Sequence, residues 1–341
     1  MPEHRLLART LRGLEPIACA ELRDALPVAD ARLDHREVRF AMPRLDPRLL
    51  TLRTVDDVFL VVAEWQELPV TRAALPRLRS LAARLDVEGA RRAVRSLRPV
   101  AAATTFAVTA SARGRRRTSR FEVEDAVSAG IADATGWRRT TDRDAAVAVR
   151  VHLDGPAATV CVRLAARPLH RRTAAPPRRG ALHPPLAHAL ARLAAPRPGS
   201  VVLDPTAGTG TLLAEALALQ PAVRAVGFDI DAEVVAQARR RLPTAALAVA
   251  DAGRLPLPAG SVDRVLVNPP WGRAVPARGA LSTEPERLWN EIARVLVPDG
   301  RAVALAPPAT DVSVLRVASS TWVRVAGAEA RIVVLAPPRR C

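Results

Sequence analysis

The sequence predicts an α/β protein: a doubly wound, mostly parallel sheet in the C-terminal part, preceded by smaller α+β segments. Three observations predict it. After residue 200, short apolar runs alternate with helical patterns. Four consecutive runs end in a polar residue, at Asp204, Asp229, Asp251 and Asn268, and ligands in such sheets bind at the carboxyl ends of the strands. Hydrophobic residues make up 49% of the 341, which is ample for buried cores without disulfide or metal staples.

In residues 1–99, Glu15–Leu26 and Leu75–Leu85 read as helices, and Glu37–Ala41 and Val58–Glu64 as strands. Thr105–Ala110 is strand-like and runs into the basic stretch Arg113–Arg120. Glu122–Thr135 has a helical pattern, and Ala145–Leu153 and Thr159–Leu164 alternate as strands. Arg171–Arg179 is rich in Pro and Arg and reads as a linker.

Beyond it, Ser200–Leu203, Arg224–Phe228, Ala245–Ala250, Val262–Val267 and Arg301–Ala306 read as strands. Thr211–Leu219, Ala232–Leu242 and Glu284–Leu296 read as the helices between them. Trp322–Ala326 and Arg331–Leu335 are joined by a turn at Gly327–Ala328, so the final strand is expected to be antiparallel. The predicted domains are 1–99, 100–170, a linker 171–181, and 182–341.

Cys19, Cys161 and Cys341 form no CxxC pair, so neither a disulfide framework nor a zinc site is expected. No apolar run reaches the about 18 residues that span a bilayer, and the start lacks a signal-peptide core. A cytoplasmic protein with no membrane and no metal partner is expected, with a monomer favoured. The net charge is +17, and every basic residue is Arg. Codon bias accounts for the missing Lys but not for where the charge lies. Residues 101–195 carry 16 Arg against 7 acids, whereas 1–100 carry 18 against 14. A concentrated basic field points to a polyanion such as nucleic acid.

Asp204-Pro205-Thr206-Ala207-Gly208-Thr209-Gly210-Thr211 sits between a strand and a helix. Its glycines let a ligand approach the backbone, and the helix start offers free N–H groups. A purely structural turn is the alternative. Asp229 lies 25 positions after Asp204, where an acid can accept both hydroxyls of a ribose. Asp231 competes for that role or caps the next helix. Ile230 would then lie beside an adenine. Asp251, followed by Ala252 and Gly253, either accepts from an adenine amino group or serves the turn alone. In Asn268-Pro269-Pro270-Trp271 a buried strand meets two residues without N–H donors and then an aromatic. Its free carbonyls, the Asn268 side chain and the Trp271 face suit a planar group bearing an exocyclic amine.

These three segments together resemble the class I S-adenosylmethionine-dependent methyltransferases of the amino-methylating kind, over about residues 182–336. The resemblance implies a Rossmann-like sheet and S-adenosylmethionine as cofactor. Contacts to it are implied for Asp204, Thr206, Gly208, Thr209, Gly210, Thr211, Asp229, Ile230, Asp251, Ala252 and Asn268. Catalytic roles are implied for Asn268, Pro269, Pro270 and Trp271. The family's turn commonly ends in Tyr or Phe, where this chain has Trp271.

Phe106–Gly114, the helix from Phe121, and Leu169-His170-Arg171-Arg172 look like a THUMP domain. Leu14-Glu15-Pro16 with Glu21-Leu22 looks like the opening of the ferredoxin-like unit that accompanies it, and Leu182–Ala187 like the entry to the catalytic domain. A THUMP-containing RNA methyltransferase forming N2-methylguanosine, with tRNA as first candidate substrate, is the resulting expectation. Arg113, Arg115, Arg116, Arg117, Arg120, Arg171 and Arg172 are the RNA-phosphate candidates, with Arg178 and Arg179 beside them; a merely solvated face is the alternative. N2-guanine methylation of ribosomal RNA, N6-adenine methylation of RNA or DNA, and a non-catalytic RNA-binding protein stay open. His183 and His188 are expected to be structural, Cys161 a buried apolar residue, and Trp65, Trp137, Trp289 and Trp322 core residues.

Overall fold

The structure is a computed structural model that describes residues 3–28, 30–101, 104–142, 145–171, 181–270 and 276–338. It divides into two compact units, one of residues 1–10 and 18–172, the other of residues 11–17 and 173–341.

The first unit is built on β1 (His4–Arg9), β2 (Arg32–Asp34), β3 (Glu37–Met42), β4 (Asp57–Trp65), β5 (Thr105–Arg113), β6 (Arg138–Arg139), β7 (Val147–Asp154) and β8 (Ala157–Arg163). Its helices are α2 (Ala74–Ala82), α3 (Val87–Arg95), α4 (Arg120–Thr135) and, from Ala18 on, α1 (Glu15–Ala25). The strands form one sheet in the order β2-β3-β1-β4-β8-β7-β5-β6. The predicted boundary at residue 99 does not interrupt it, because β4 and β8 pair antiparallel with Leu60 opposite Val162. Alternation divides the side chains between two faces. Leu6, Ala8, Val58, Leu60, Val160 and Val162 join the helices in the main core. Leu7, Phe59 and Cys161 lie on the opposite face. On that face the buried Arg163 binds Asp57 at 2.6 Å and Asp142 at 3.1 Å. α4 starts at a capping box, Ser119 with Glu122, and stops at Gly136, whose φ of 70° costs a glycine little.

The second unit contains β9 (Val201–Asp204), β10 (Arg224–Asp229), β11 (Ala246–Val249), β12 (Val262–Val267), β13 (Leu296–Ala306), β14 (Arg316–Val325) and β15 (Ala328–Ala336), with α5 (Pro184–Ala194), α6 (Thr211–Leu219), α7 (Ala232–Arg241) and α8 (Arg287–Val295). The sheet order is β11-β10-β9-β12-β13-β15-β14. β9 to β13 run parallel, and β15 is antiparallel to both β13 and β14, as the closing hairpin predicts. Residues of α5, α6 and α7 pack in one core and those of α8 in another, so helices cover both faces. Val265, Leu266 and Val267 of the central β12 are therefore fully buried in succession, and each contributes about 1.5–3 kcal/mol by burial. α5 begins with two prolines, whose missing N–H groups would be unpaired in a first turn anyway. The chain order reverses between β9 and β12, and the crevice above that reversal is the standard ligand position in an open α/β sheet. Among the described residues no helix is long and apolar enough to cross a membrane.

Candidate active site

The turn after β9 is held from below. Asp204 is 1% exposed, and its carboxylate accepts the Thr206 N–H at 3.0 Å. Burial pushes its pKa up to about 8, with the charge of Asp229 adding to the rise and the Thr206 N–H opposing it. The Ala207 N–H donates to the Phe228 carbonyl at 2.7 Å, which ties the turn to β10. Gly208 and Gly210 have φ of 53° and 80°, values that L side chains adopt at a cost. A Cβ on Gly210 would strike Leu242, whereas one on Gly208 would meet nothing within 4 Å. The backbone at Gly208 is thus open to a ligand. α6 starts at Thr211 with no side-chain cap on its first turn, so N–H groups there remain for an external acceptor.

Asp229 ends β10 with both oxygens held. Oδ2 accepts the Gly208 N–H at 2.8 Å, and Oδ1 accepts the Asp231 N–H at 3.0 Å. Each oxygen keeps a second acceptor site, so the pair fits a vicinal diol. Asp231 is engaged otherwise: its carboxylate caps α7 by accepting from Glu233 and Val234. Asp251 accepts from Gly253 at 2.9 Å and Ala280 at 2.7 Å. Ile230 is an exposed apolar side chain. It converges with Asp251 on Gly279, where a Cβ would collide with the Asp251 carboxylate and lie 2.7 Å from Ile230 Cδ1. Ala252 is buried in the α8-side core. An open glycine turn, a diol acceptor, an apolar contact and a second carboxylate fit an adenosine-bearing cofactor.

Asn268 follows β12, the neighbour of β9 across the crevice. Its carbonyl accepts the Thr206 hydroxyl at 3.4 Å, which links the two turns. Asn268, Pro269 and Pro270 are all half-buried. The fourth residue of the motif, Trp271, lies outside the described residues, as do Arg172, Arg178 and Arg179.

In the first unit, Arg113, Arg115, Arg117, Arg120 and Arg171 are exposed. Arg116 differs, because its guanidinium donates to the carbonyls of Gly155 and Pro69 and so anchors the basic loop. Sequence reasoning missed Phe121. It is 59% exposed, with the Arg120 guanidinium 4.7 Å from its ring centre. An aromatic at the start of an apolar helix carries no local signal of exposure. His188 is buried, with Nδ1 3.0 Å from Glu215. Cys161 is buried, and burial pushes its thiol up to about 12. Trp65 and Trp289 are buried and Trp137 is half-buried against the first core. Trp322 corrects the expectation of a core residue. It is 57% exposed and stands on the edge strand β14.

A family model described as the RMKL-like methyltransferase domain, UPF0020, matches residues 171–330. The tRNA (guanine(6)-N2)-methyltransferase of Thermus thermophilus is 34% identical over 313 residues, covering 88% of each chain. The U6 snRNA (guanine-N(2))-methyltransferase THUMPD2 of Bos taurus is 35% identical over 35% of this chain and 24% of its own. The crystal structure of TrmN from Thermus thermophilus superposes with a TM-score of 0.78 and 30% identity, over 98% of this chain and 99% of that one. SMU.472, solved in complex with SAH, shares the fold along the whole chain with a TM-score of 0.73 and 15% identity.

Proposed function

The chain belongs to the RMKL-like methyltransferase family, and on that premise we propose that it methylates the exocyclic N2 amine of a guanosine in tRNA. It is an S-adenosylmethionine-dependent methyltransferase. The observation that carries the proposal is the meeting of two turns at the chain reversal of the sheet. One bears the Asp229-braced glycines and the other Asn268, linked by the Thr206 hydroxyl. The tRNA substrate rests on the Thermus relative, which matches along 88% of both chains.

In this reading Asp229 accepts the ribose hydroxyls, Ile230 lies against the adenine, and Asp251 accepts from its amine. The backbone of Thr206–Thr211 borders the rest of the cofactor, Asp204 supports that turn from beneath, and Ala252 lies buried in the core next to Asp251. When bound, S-adenosylmethionine supplies an electrophilic methyl group. The guanine amine is a poor nucleophile because its lone pair is delocalised into the ring. The Asn268 side-chain oxygen and the Pro269 carbonyl accept the amine hydrogens and turn the lone pair toward the methyl. Pro269 and Pro270 present no N–H to compete for the base. Trp271 offers a stacking face for it. Such positioning is the chief catalytic resource, because alignment alone is worth roughly 7–11 kcal/mol.

The first unit, holding the ferredoxin-like and THUMP-like segments, binds the RNA in this reading. Arg113, Arg115, Arg117, Arg120 and Arg171 meet phosphates, and Arg116 holds their loop in place. Such contacts position RNA without reading its sequence. The enzyme acts as a cytoplasmic monomer that needs no metal.

The test is transfer from labelled S-adenosylmethionine to tRNA, ribosomal RNA and DNA in parallel, with the products digested to nucleosides and identified by mass. N2-methylguanosine from tRNA is the expected product. N6-methyladenosine, or label confined to ribosomal RNA or DNA, overturns the substrate. Cofactor binding without transfer to any of them supports the non-catalytic alternative.

A further inference from the structure

Among the described aromatic residues only Phe121 and Trp322 are exposed, and Trp322 stands on the unit that carries the candidate active site. Tryptophan is on average among the more buried side chains, and Trp289 of the same unit is 4% exposed. Trp322 instead presents its indole to solvent on β14, at the edge of the sheet.

The register shows which end of the sheet it occupies. Trp322 pairs with Arg331 on β15, and Arg331 pairs with Ala306, the last residue of β13. Val267, the residue before Asn268, pairs with Ala304 of β13. Trp322 therefore stands at the carboxyl rim, level with the Asn268 turn. Counting across β12, β13, β15 and β14, three strand spacings separate the two, or about 14 Å. A short run of nucleotides covers that distance.

The flanking residues turn this exposed ring into a platform. The Arg331 guanidinium lies 5.9 Å from the indole centre, which is within cation–π range. Val323, Ala330 and Ile332 point into the core shared with α5–α7. By alternation Trp322 and Arg331 stand on the opposite face, with Ser320 and Arg324 beside Trp322 along β14. Both of these neighbours are exposed. An open indole with Arg331 and Arg324 beside it suits an unpaired base attached to a phosphate backbone. Base–aromatic stacking needs no particular base, since every base has a π face.

We propose that Trp322 and Arg331 form a stacking platform for an unpaired base in the RNA segment flanking the target nucleotide. The proposal rests on the RNA-methylation reading above. It assigns to the rim of the catalytic unit an RNA contact separate from both the Asn268 turn and the Arg113–Arg120 loop. The platform holds the strand that leaves the Asn268 turn and acts on RNA affinity, leaving the methyl-transfer step to that turn.

The experiment uses the full chain with Trp322→Ala, Trp322→Phe and Arg331→Met. Trp322→Ala is expected to raise KM for tRNA by about 5- to 150-fold, the range for loss of one stacked base. The kcat and the KM for S-adenosylmethionine should stay within about twofold. Trp322→Phe should recover most of the loss and, by keeping an aromatic of similar shape, exclude a folding defect. An unchanged KM in a folded Trp322→Ala variant overturns the platform. So does a loss of self-association or protein binding with the RNA KM intact. If the unaltered protein methylates no RNA, the parent reading fails on its own. Anisotropy of a fluorescent single-stranded RNA then still decides: weaker binding by Trp322→Ala upholds the platform, and equal binding overturns it.

Discussion

Asp229 is oriented by two backbone donors, from Gly208 and Asp231, before any ligand arrives. An asparagine there has only one oxygen, so Asp229→Asn loses one acceptor and sets an NH2 against a backbone N–H. It also loses the charge that would hold the ribose hydroxyls. Hydrogen bonds to charged groups contribute about 1.5–3 kcal/mol, so the Kd for S-adenosylmethionine should rise by about 10- to 150-fold. Titration calorimetry checks this, and an unchanged Kd removes Asp229 from the cofactor site. Asn268→Ala should differ in kind. On the proposed mechanism it deletes an acceptor for the reacting amine, and kcat should fall by about 10²–10³ with a much smaller change in cofactor affinity. Asp204 gives a pH prediction. Burial raises its pKa from 3.8 to about 8, so the folded chain holds a proton that the unfolded chain releases. Its contribution to stability is complete below about pH 4 and is lost as pH rises toward 8. Asp204→Asn keeps an acceptor for Thr206 and removes the titration. The variant should melt above the unaltered protein at pH 8 and show a flatter Tm profile between pH 4 and 8. Parallel profiles for the two would refute the assignment.

At the scale of elements, Gly279 closes the loop over Ile230 and Asp251. Its φ is 59°, and a Cβ would strike the Asp251 carboxylate. Gly279→Ala must therefore shift the backbone or break the Ala280–Asp251 hydrogen bond, at a cost of about 1–3 kcal/mol. Weaker cofactor binding should accompany a lower Tm, and a variant with both unchanged would show that the loop lies outside the site. Arg163 plays a comparable part for β4 and β8. It is buried against Asp57, whose pKa burial raises to about 7 in spite of the guanidinium beside it. Arg163→Ala leaves that carboxylate buried without its main partner, and denaturant unfolding should register a loss of about 3–5 kcal/mol.

These elements differed in how plainly they could be read. The strands ending at Asp204, Asp229 and Asn268 were legible because a β-branched run stopped at a polar turn. α5 was read only as a family-like segment, since eight of its eleven residues are buried and no polar stripe marks a helix. β1 was missed because Arg5 and Arg9 leave only three apolar residues, Leu6–Ala8, between them. Arg116 looked like its basic neighbours, but its carbonyl partners lie 39 and 47 positions away. Trp322 looked like core because exposure at a sheet edge depends on strand order, which local pattern does not encode.

For the whole molecule, charge and chemistry lie in different compact units. The glycine turn, Asp229 and Asn268 belong to the second, and the Arg113–Arg120 loop to the first. The net charge is +17, so RNA affinity should fall steeply with salt as counterions are released. The structure separates the arginines of that loop into two groups with different expected effects. Arg113, Arg115, Arg117 and Arg120 are exposed, and each phosphate contact contributes about 0.7–0.9 to the slope of log affinity against log salt. Changing these four to Ala should reduce the slope by about 3 and leave S-adenosylmethionine binding alone. Arg116→Ala should instead lower Tm, because it leaves the carbonyls of Pro69 and Gly155 without their donor. Filter binding of tRNA between 50 and 200 mM salt measures the first effect, and thermal unfolding the second. A slope unchanged in the fourfold variant would mean that the loop is only a solvated face. The phosphates would then have to be met by arginines elsewhere, and those beside Trp322, Arg324 and Arg331, are the next to change.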